Sequence, residues 1–265
     1  MPDGSQHQLH YLTISNREAL QSIYIESLLQ VNINETDLIS GVYEGGLKIW
    51  DCSIDLVNYI AENPNICHSK SVIELGCGQG LPGLLCLTNF NAQYVVFQDY
   101  NKDVLDNATK KVIEMNSQVD LSLLQQKYQL LAGSWETLCK QRQDFQGKFD
   151  LILMSETLYN INYYDQLVQF IDLCLSNEPN SMVLIGTKTF YFGLGGGYFE
   201  FQKYLDTNWK GKFRLEVVKK LNDMKSIERL ILIMKRQTEI EMISQDLASN
   251  TLEEQIEKSD FMLSF

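Results

Sequence analysis

The sequence predicts an α/β protein whose core is a mostly parallel β-sheet covered by helices on both faces. Three observations predict it. From residue 71 onward, short apolar runs alternate with segments of helical spacing. The first run ends in a knot of glycines, "SVIELGCGQGLPGLL". Near the end, two apolar runs follow one another across a short polar "NDMK". Alternation of strand and helix calls for a parallel sheet, and near-continuous apolar strands call for cover on both sides. The final pair reads as an antiparallel hairpin that closes the sheet.

The elements follow in order. In "SNREALQSIYIESLLQV", Leu20, Ile23, Tyr24 and Leu28 fall on one helical face. Gly45 and Gly46 mark a turn. Ser53 is placed to cap a helix over 54–63, and Pro64 lies just beyond its end. Strands are predicted over 72–76, 94–99, 128–132, 149–155 and 182–187, with helices over 82–90, 102–116, 135–142 and 163–175. Helical "YFEFQKYLDTNW" precedes the closing strands, "KFRLEVVKKL" and "SIERLILIMKR". Residues 237–265 carry seven acids and one lysine and read as an extension outside the core. The organisation is an N-terminal segment (1–40), one α/β domain (41–236) and the acidic extension.

Composition narrows the function. The chain has 265 residues, 45% of them hydrophobic, which suits one α/β domain with extensions. No apolar run approaches the roughly 18 to 20 residues that span a bilayer, and "MPDGSQHQLHYL" lacks the parts of a secretory leader. Six scattered cysteines form no CxxC, and there are three histidines. No metal site is expected, and free thiols in a reducing compartment are. A net charge of −12 opposes an open nucleic-acid surface and suits a basic protein partner.

The glycine turn carries the chemistry. A strand that runs through such a turn into a helix presents backbone N–H groups and a positive helix end at one spot. Gly78, Gly80 and Gly83 fit G-x-G-x-x-G, and Asp99 follows at the end of the second strand, where an acid can hold ribose. A dinucleotide and S-adenosyl-L-methionine both fit that pattern. Three details favour the second. The turn also reads E-x-G-x-G-x-G (Glu74, Gly76, Gly78, Gly80), and an acid within the strand suits a cofactor with a cationic amino-acid end. The chain closes with a hairpin instead of a second mononucleotide-binding half. "KIWDCS", ahead of the first strand, is placed to close over a cofactor. An NAD-dependent oxidoreductase is the alternative.

The segments "YEGGLKIWDCSIDL", "ELGCGQGLPG", "FQDYN", "GSW", "FDLILMSETLYNINYY" and "FYFGLGGG" carry a family resemblance. The chain resembles the seven-β-strand, S-adenosylmethionine-dependent methyltransferases. More closely it is similar to the histidine protein methyltransferase family that modifies a large-subunit ribosomal protein. The resemblance implies a Rossmann-like seven-stranded methyltransferase sheet, mostly parallel, with an antiparallel C-terminal hairpin strand. It implies methyl transfer to the τ (tele) nitrogen of a histidine in a basic ribosomal protein, by a monomer of the cytoplasm or nucleus. Protein-lysine methylation on the same fold is the rival.

By position, the resemblance implies that Ile49, Trp50, Asp51, Cys52 and Ser53 line one side of the cofactor pocket. Gly76 would lie beneath the methionine part. Asp99, with Gln98 and Tyr100 beside it, would hold the ribose, and Gly133, Ser134 and Trp135 would flank the adenine. Ser155 would face the reaction centre. After the fourth strand, E-x-x-Y gives Glu156 and Tyr159, with Asn160 beside them. If helical geometry begins there, Glu156 and Tyr159 share a face. Glu156 would accept a hydrogen bond from one imidazole nitrogen and aim the other at the methyl group. A neutral imidazole offers its lone pair near pH 7, whereas a lysine must first lose a proton. The loop holding Gly193, Gly195, Gly196 and Gly197, bracketed by aromatics, is expected to be a lid.

Overall fold

The structure is a computed structural model that describes residues 45–116, 124–222 and 226–237. The expected helix within residues 15–31 and the acidic extension lie outside the described residues.

Seven strands form one sheet: β1 (Ser71–Leu75), β2 (Tyr94–Asp99), β3 (Tyr128–Ala132), β4 (Leu151–Ser155), β5 (Met182–Lys188), β6 (Phe213–Leu221) and β7 (Arg229–Arg236). Their order is β3-β2-β1-β4-β5-β7-β6. The first five are parallel, β7 runs antiparallel to β5, and β6 antiparallel to β7. Strand order reverses between β1 and β4, so a crevice opens beyond their carboxyl ends, where ligands of open α/β sheets bind.

Side chains alternate across the sheet because the strand period is two. Val72, Leu151, Leu153 and Leu184 face one layer of the core with α1 (Asp51–Glu62), α2 (Leu81–Thr88) and α3 (102–115). Ile73, Leu75, Ile152, Met154, Val183 and Ile185 face the other, with α4 (Trp135–Gln141), α5 (Tyr164–Cys174) and α6 (Tyr198–Asn208). Within α3, α-helical turns flank a π-helical stretch, Leu105–Thr109.

The first helix differs from its expected start. Trp50 is extended at the N-cap, and the Ser53 N–H already donates to the Trp50 carbonyl at 3.0 Å, so Ser53 lies inside the first turn. Asp51, acidic in that turn, suits the positive helix end. α1 lies close over β5 at Gly186, where a Cβ would stand 2.8 Å from the Cys52 carbonyl. It is also tied to β7: Arg229 Nε donates to Asp55 Oδ2 at 2.6 Å, and both side chains are almost fully buried.

Strand parity also decides the fate of Glu74. It shares the α2 face with Val72 and is 1% exposed. Its Oε2 accepts the Gly83 N–H at 2.8 Å, while Oε1 has no hydrogen-bond partner. A Cβ at Gly83 would stand 2.7 Å from Oε2, so glycine is what lets the carboxyl in. Burial raises its pKa to about 8, outweighing the Gly83 N–H, with the Asp99 charge adding to the rise.

The folded state therefore holds a proton that the unfolded state, with an ordinary carboxyl pKa, releases. Stability should fall as pH rises from about 4.5 to about 8, by roughly 1.4 kcal/mol per unit. Glu74→Gln should match the wild type in urea unfolding near pH 4.5 and surpass it increasingly toward pH 8. Parallel curves for the two proteins would show that Glu74 ionises freely in the fold.

Candidate active site

The crevice holds a cleft of about 500 Å³ lined from all sides of the switch point. Its floor is the glycine turn after β1. Gly76 and Gly78 take positive φ (61° and 53°). A Cβ on Gly76 would stand 2.9 Å from the Thr157 methyl, and one on Gly78 2.9 Å from the Gly46 carbonyl oxygen. The chain thus makes a close-walled cradle that only glycine permits. Beneath it, Thr109 of the π-helical stretch donates from Oγ1 to the Gly78 carbonyl at 2.5 Å.

Asp99, at the end of β2, stands beside this cradle. Its Oδ2 accepts the Gly78 N–H at 2.9 Å and its Oδ1 the Asn101 N–H at 3.0 Å, which fixes the plane of the carboxylate. Gln98 lines the cleft but is already engaged. Its Oε1 accepts from the Gly76 N–H (3.1 Å) and the Trp135 indole (2.9 Å), and its amide donates to the Gly133 carbonyl (2.9 Å). Gln98 therefore acts as a bracket that sets three parts of the wall. Ser134 likewise lines the cleft while its Oγ caps α4, accepting the Thr137 N–H at 3.2 Å.

The roof is the stretch ahead of α1. Trp50 donates its indole N–H to the Gly45 carbonyl (3.1 Å), and Gln79 reaches up to the Leu47 carbonyl (2.7 Å). Gly45, Gly46, Lys48, Ile49, Trp50 and Ser53 all line the cleft. So do Tyr100, Gly133, Trp135, Ser155, Glu156 and Tyr159.

Five expected residues do not line it. Glu74 faces α2, as described. Gly80 is the left-handed N-cap of α2, packed on Phe97 and Thr109. Asp51 points outward near Arg229. Cys52 is buried behind the wall, its thiol raised well above the usual value by burial and by the Glu156 carboxylate. Asn160 is buried, and its side chain caps the short turn Ile161–Tyr163 by accepting the Asn162 N–H at 3.0 Å.

The far end of the cleft corrects two expectations. Residues 156–159 are not helical; Glu156 has a left-handed φ of 54°. That conformation is costly for a residue with a Cβ, and it turns the carboxylate into the wall. There Glu156 Oε2 accepts from the Tyr191 phenol at 2.5 Å, and Oε1 lies 3.2 Å from Lys188 Nζ as an ion pair without aligned hydrogen bonding. Burial and that carboxylate push the Tyr191 phenol well above its usual pKa, so it stays a donor.

The glycine loop is a docked wall instead of a free lid. Gly196 N–H donates to the Tyr159 carbonyl (3.1 Å) and Gly197 N–H to that of Leu158 (2.7 Å). A Cβ on Gly196 would stand 2.2 Å from the Leu158 oxygen. Tyr191 and Leu194 face the cleft, while Phe192 and Phe199 are exposed.

Lys188, Tyr163, Gln166 and Thr157 also line the cleft and were not among the expected site residues. Lys188 had a signal: it ends an apolar strand at the carboxyl edge, where ligand contacts gather. Among the described residues no helix is long and apolar enough to cross a membrane.

Known proteins place this geometry. The family model described as "Lysine methyltransferase" matches residues 30–191. Histidine protein methyltransferase 1 homolog of Dictyostelium discoideum is 41% identical over 65% of this chain and 52% of its own length. Histidine protein methyltransferase 1 of Schizosaccharomyces pombe is 32% identical over 76% of this chain and 68% of its own. The chain thus spans about half the length of the Dictyostelium relative. A solved structure from Streptococcus mutans, described as a candidate SAM-dependent methyltransferase, shares the fold: TM-score 0.52, 14% identity, 69% of this chain and 49% of that one. The dinucleotide-oxidoreductase alternative falls on these matches. The chain belongs to the seven-stranded methyltransferases, in the family of the histidine protein methyltransferase 1 homologues.

Proposed function

We propose that the protein transfers a methyl group from S-adenosyl-L-methionine to the τ nitrogen of a histidine in a large-subunit ribosomal protein. The observation that carries the reading is a single cleft joining the Asp99–glycine cradle to the buried Glu156–Tyr191–Lys188 cluster. The names of the relatives support histidine as the acceptor, and the charge of −12 suits a basic protein. We place the protein in the cytoplasm or nucleus, acting as a monomer.

The cofactor fits the residues present. The Gly76–Gly78 cradle admits close backbone approach, and the carboxylate of Asp99 suits a pair of ribose hydroxyls. Gly133 and Trp135 would wall the base, and Ile49 and Trp50 would roof the sulfur. When bound, that cofactor supplies an electrophilic methyl on a cationic sulfur.

The chain's own task is alignment and exclusion of water. Tyr159, in edge contact with Tyr163 and Tyr191, gives the imidazole an aromatic seat. Glu156, with the Tyr191 phenol that it orients, offers the acceptor for one ring N–H. The other ring nitrogen then faces the methyl with its lone pair. Glu156 would stand as the acceptor for the N–H proton that the methylated ring gives up.

Lysine remains the second reading, because the matched model carries that description. The test uses ribosomal proteins from cells lacking this protein, labelled cofactor, and mass spectrometry of the labelled band. Methyl label on a histidine is the expected result. Label on lysine alone, or none in any ribosomal protein, overturns the proposal.

A further inference from the structure

Lys188 is a feature of the acceptor end that a lysine methyltransferase should not want. Its ammonium lies 3.2 Å from Glu156 Oε1, 5.3 Å from the centre of the Tyr191 ring and 5.7 Å from that of Trp50. Both partners of the ion pair are mostly buried: the side chains are 18% and 7% exposed for Lys188 and Glu156. An acidic side chain and a set of aromatic faces are what an incoming ammonium would seek. Here a resident ammonium already occupies them.

We propose that Lys188 is a specificity-determining residue, which closes the acceptor end of the cleft to lysine side chains and leaves it open to neutral imidazole. The inference rests on the proposed histidine activity and deepens it.

The physical reason is charge. Beside Lys188, an acceptor ammonium would meet a like charge in surroundings where water screens poorly. It would also find the carboxylate already neutralised. A second cation stands nearby, since Lys48 Nζ lies 4.6 Å from the Trp50 ring centre. Neutral imidazole has no net charge to repel and needs only a hydrogen-bond acceptor and an aromatic seat. Glu156 gains from the arrangement as well. A buried carboxylate without a cation would be costly, so Lys188 also keeps it in place.

Three features hold Lys188 in this role. It ends β5, paired with Arg229 of β7. Its own N–H donates to the Tyr191 hydroxyl at 3.3 Å. Glu156, through its left-handed backbone and its N–H bond to the Gly186 carbonyl (2.9 Å), meets it from β4. Glu156 is thus a positioning residue for Lys188 as well as a contact for the acceptor.

The experiment compares wild type with Lys188→Met and Lys188→Gln, after thermal melts establish which variants fold. Two peptides are cut around the histidine labelled in ribosomal protein, identical except for His or Lys at the acceptor. Methyl products are identified by mass spectrometry. Binding of each peptide is measured separately by fluorescence anisotropy with S-adenosylhomocysteine present. Wild type should label the His peptide strongly and the Lys peptide only weakly. In either folded variant the ratio of Lys to His labelling should rise by about tenfold or more, and the ratio of binding affinities should move in the same direction. Ratios unchanged in a folded variant, whatever the loss of overall rate, overturn the assignment and leave Lys188 a merely structural partner of Glu156. If wild type labels no histidine at all, the functional reading fails by itself. The binding ratio, on peptides drawn from a large-subunit ribosomal protein around any histidine, then still decides the role of Lys188.

Discussion

Asp99→Ala should cost the protein its cofactor. Each hydrogen bond to a charged group contributes about 1.5–3 kcal/mol, and a carboxylate that holds two ribose hydroxyls, as proposed for Asp99, would make two of them. The expected loss is therefore about 3–6 kcal/mol, or roughly a 100- to 10,000-fold weaker affinity for S-adenosylmethionine. The same change orphans the N–H groups of Gly78 and Asn101, which the carboxylate now satisfies. The glycine cradle would thus loosen at its edge. Asp99→Asn is the finer test, because it keeps the shape and one acceptor oxygen. Its amide N–H₂ must then face either Gly78 N–H or Asn101 N–H as donor against donor, so an intermediate affinity is expected. Titration calorimetry with S-adenosylmethionine measures all three proteins. Wild-type affinity in the alanine variant would mean that the nucleoside is held elsewhere, and the proposed reaction would lose its site.

The largest expected effect on stability lies at Asp55 and Arg229. Their side chains are 5% and 3% exposed and 2.6 Å apart. Removing one partner leaves the other charged and buried, which typically costs about 3–5 kcal/mol. That is a large share of the roughly 5–15 kcal/mol that holds a domain together. Asp55→Ala and Arg229→Met should each lower the unfolding free energy measured by urea titration by an amount of that order. The double change Asp55→Leu with Arg229→Met should recover most of the loss, since a buried pair is often no better than well-packed apolar groups. The effect reaches the site, because α1 carries Trp50 and Ser53 at its start. A single variant that unfolds at the wild-type urea concentration would refute the pair's role as the anchor of α1.

Much of this architecture is legible in the residues. β2 falls where a continuous apolar run places it, because a strand buried on both faces leaves an unmistakable pattern; β3, a mostly half-buried edge strand, falls at its expected place on the alternation of strand and helix. The hairpin, the glycine turn and the acid at the end of β2 are legible for similar reasons: local chemistry permits little else. Legibility fails where a side chain's direction depends on a partner far along the chain. Glu74 looks like a ligand from its motif, yet strand parity turns it toward α2. The spacing of Glu156 and Tyr159 suits a helical face, and nothing local announces a left-handed Glu156; the Gly186 carbonyl that accepts its N–H belongs to β5. Gly196 reads as freedom, while in the fold it is a fit against the backbone of Leu158 and Tyr159. Lys188 is visible only as the end of a strand until the fold brings Glu156 to it.

The wide turn in α3 has a consequence for how that helix tolerates change. A π turn encloses one more residue than an α turn. Shortening the chain by one residue between Leu105 and Thr109 would let the ladder close in its regular form while the helix beyond keeps its facing, whereas the same deletion in the regular turn after it would swing every later side chain by about 100° around the axis. As it stands, the stretch brings Thr109 under the Gly78 carbonyl, with Val112 and Ile113 in the core just beyond. A one-residue loss therefore costs the core less in this stretch than in the regular turns beside it.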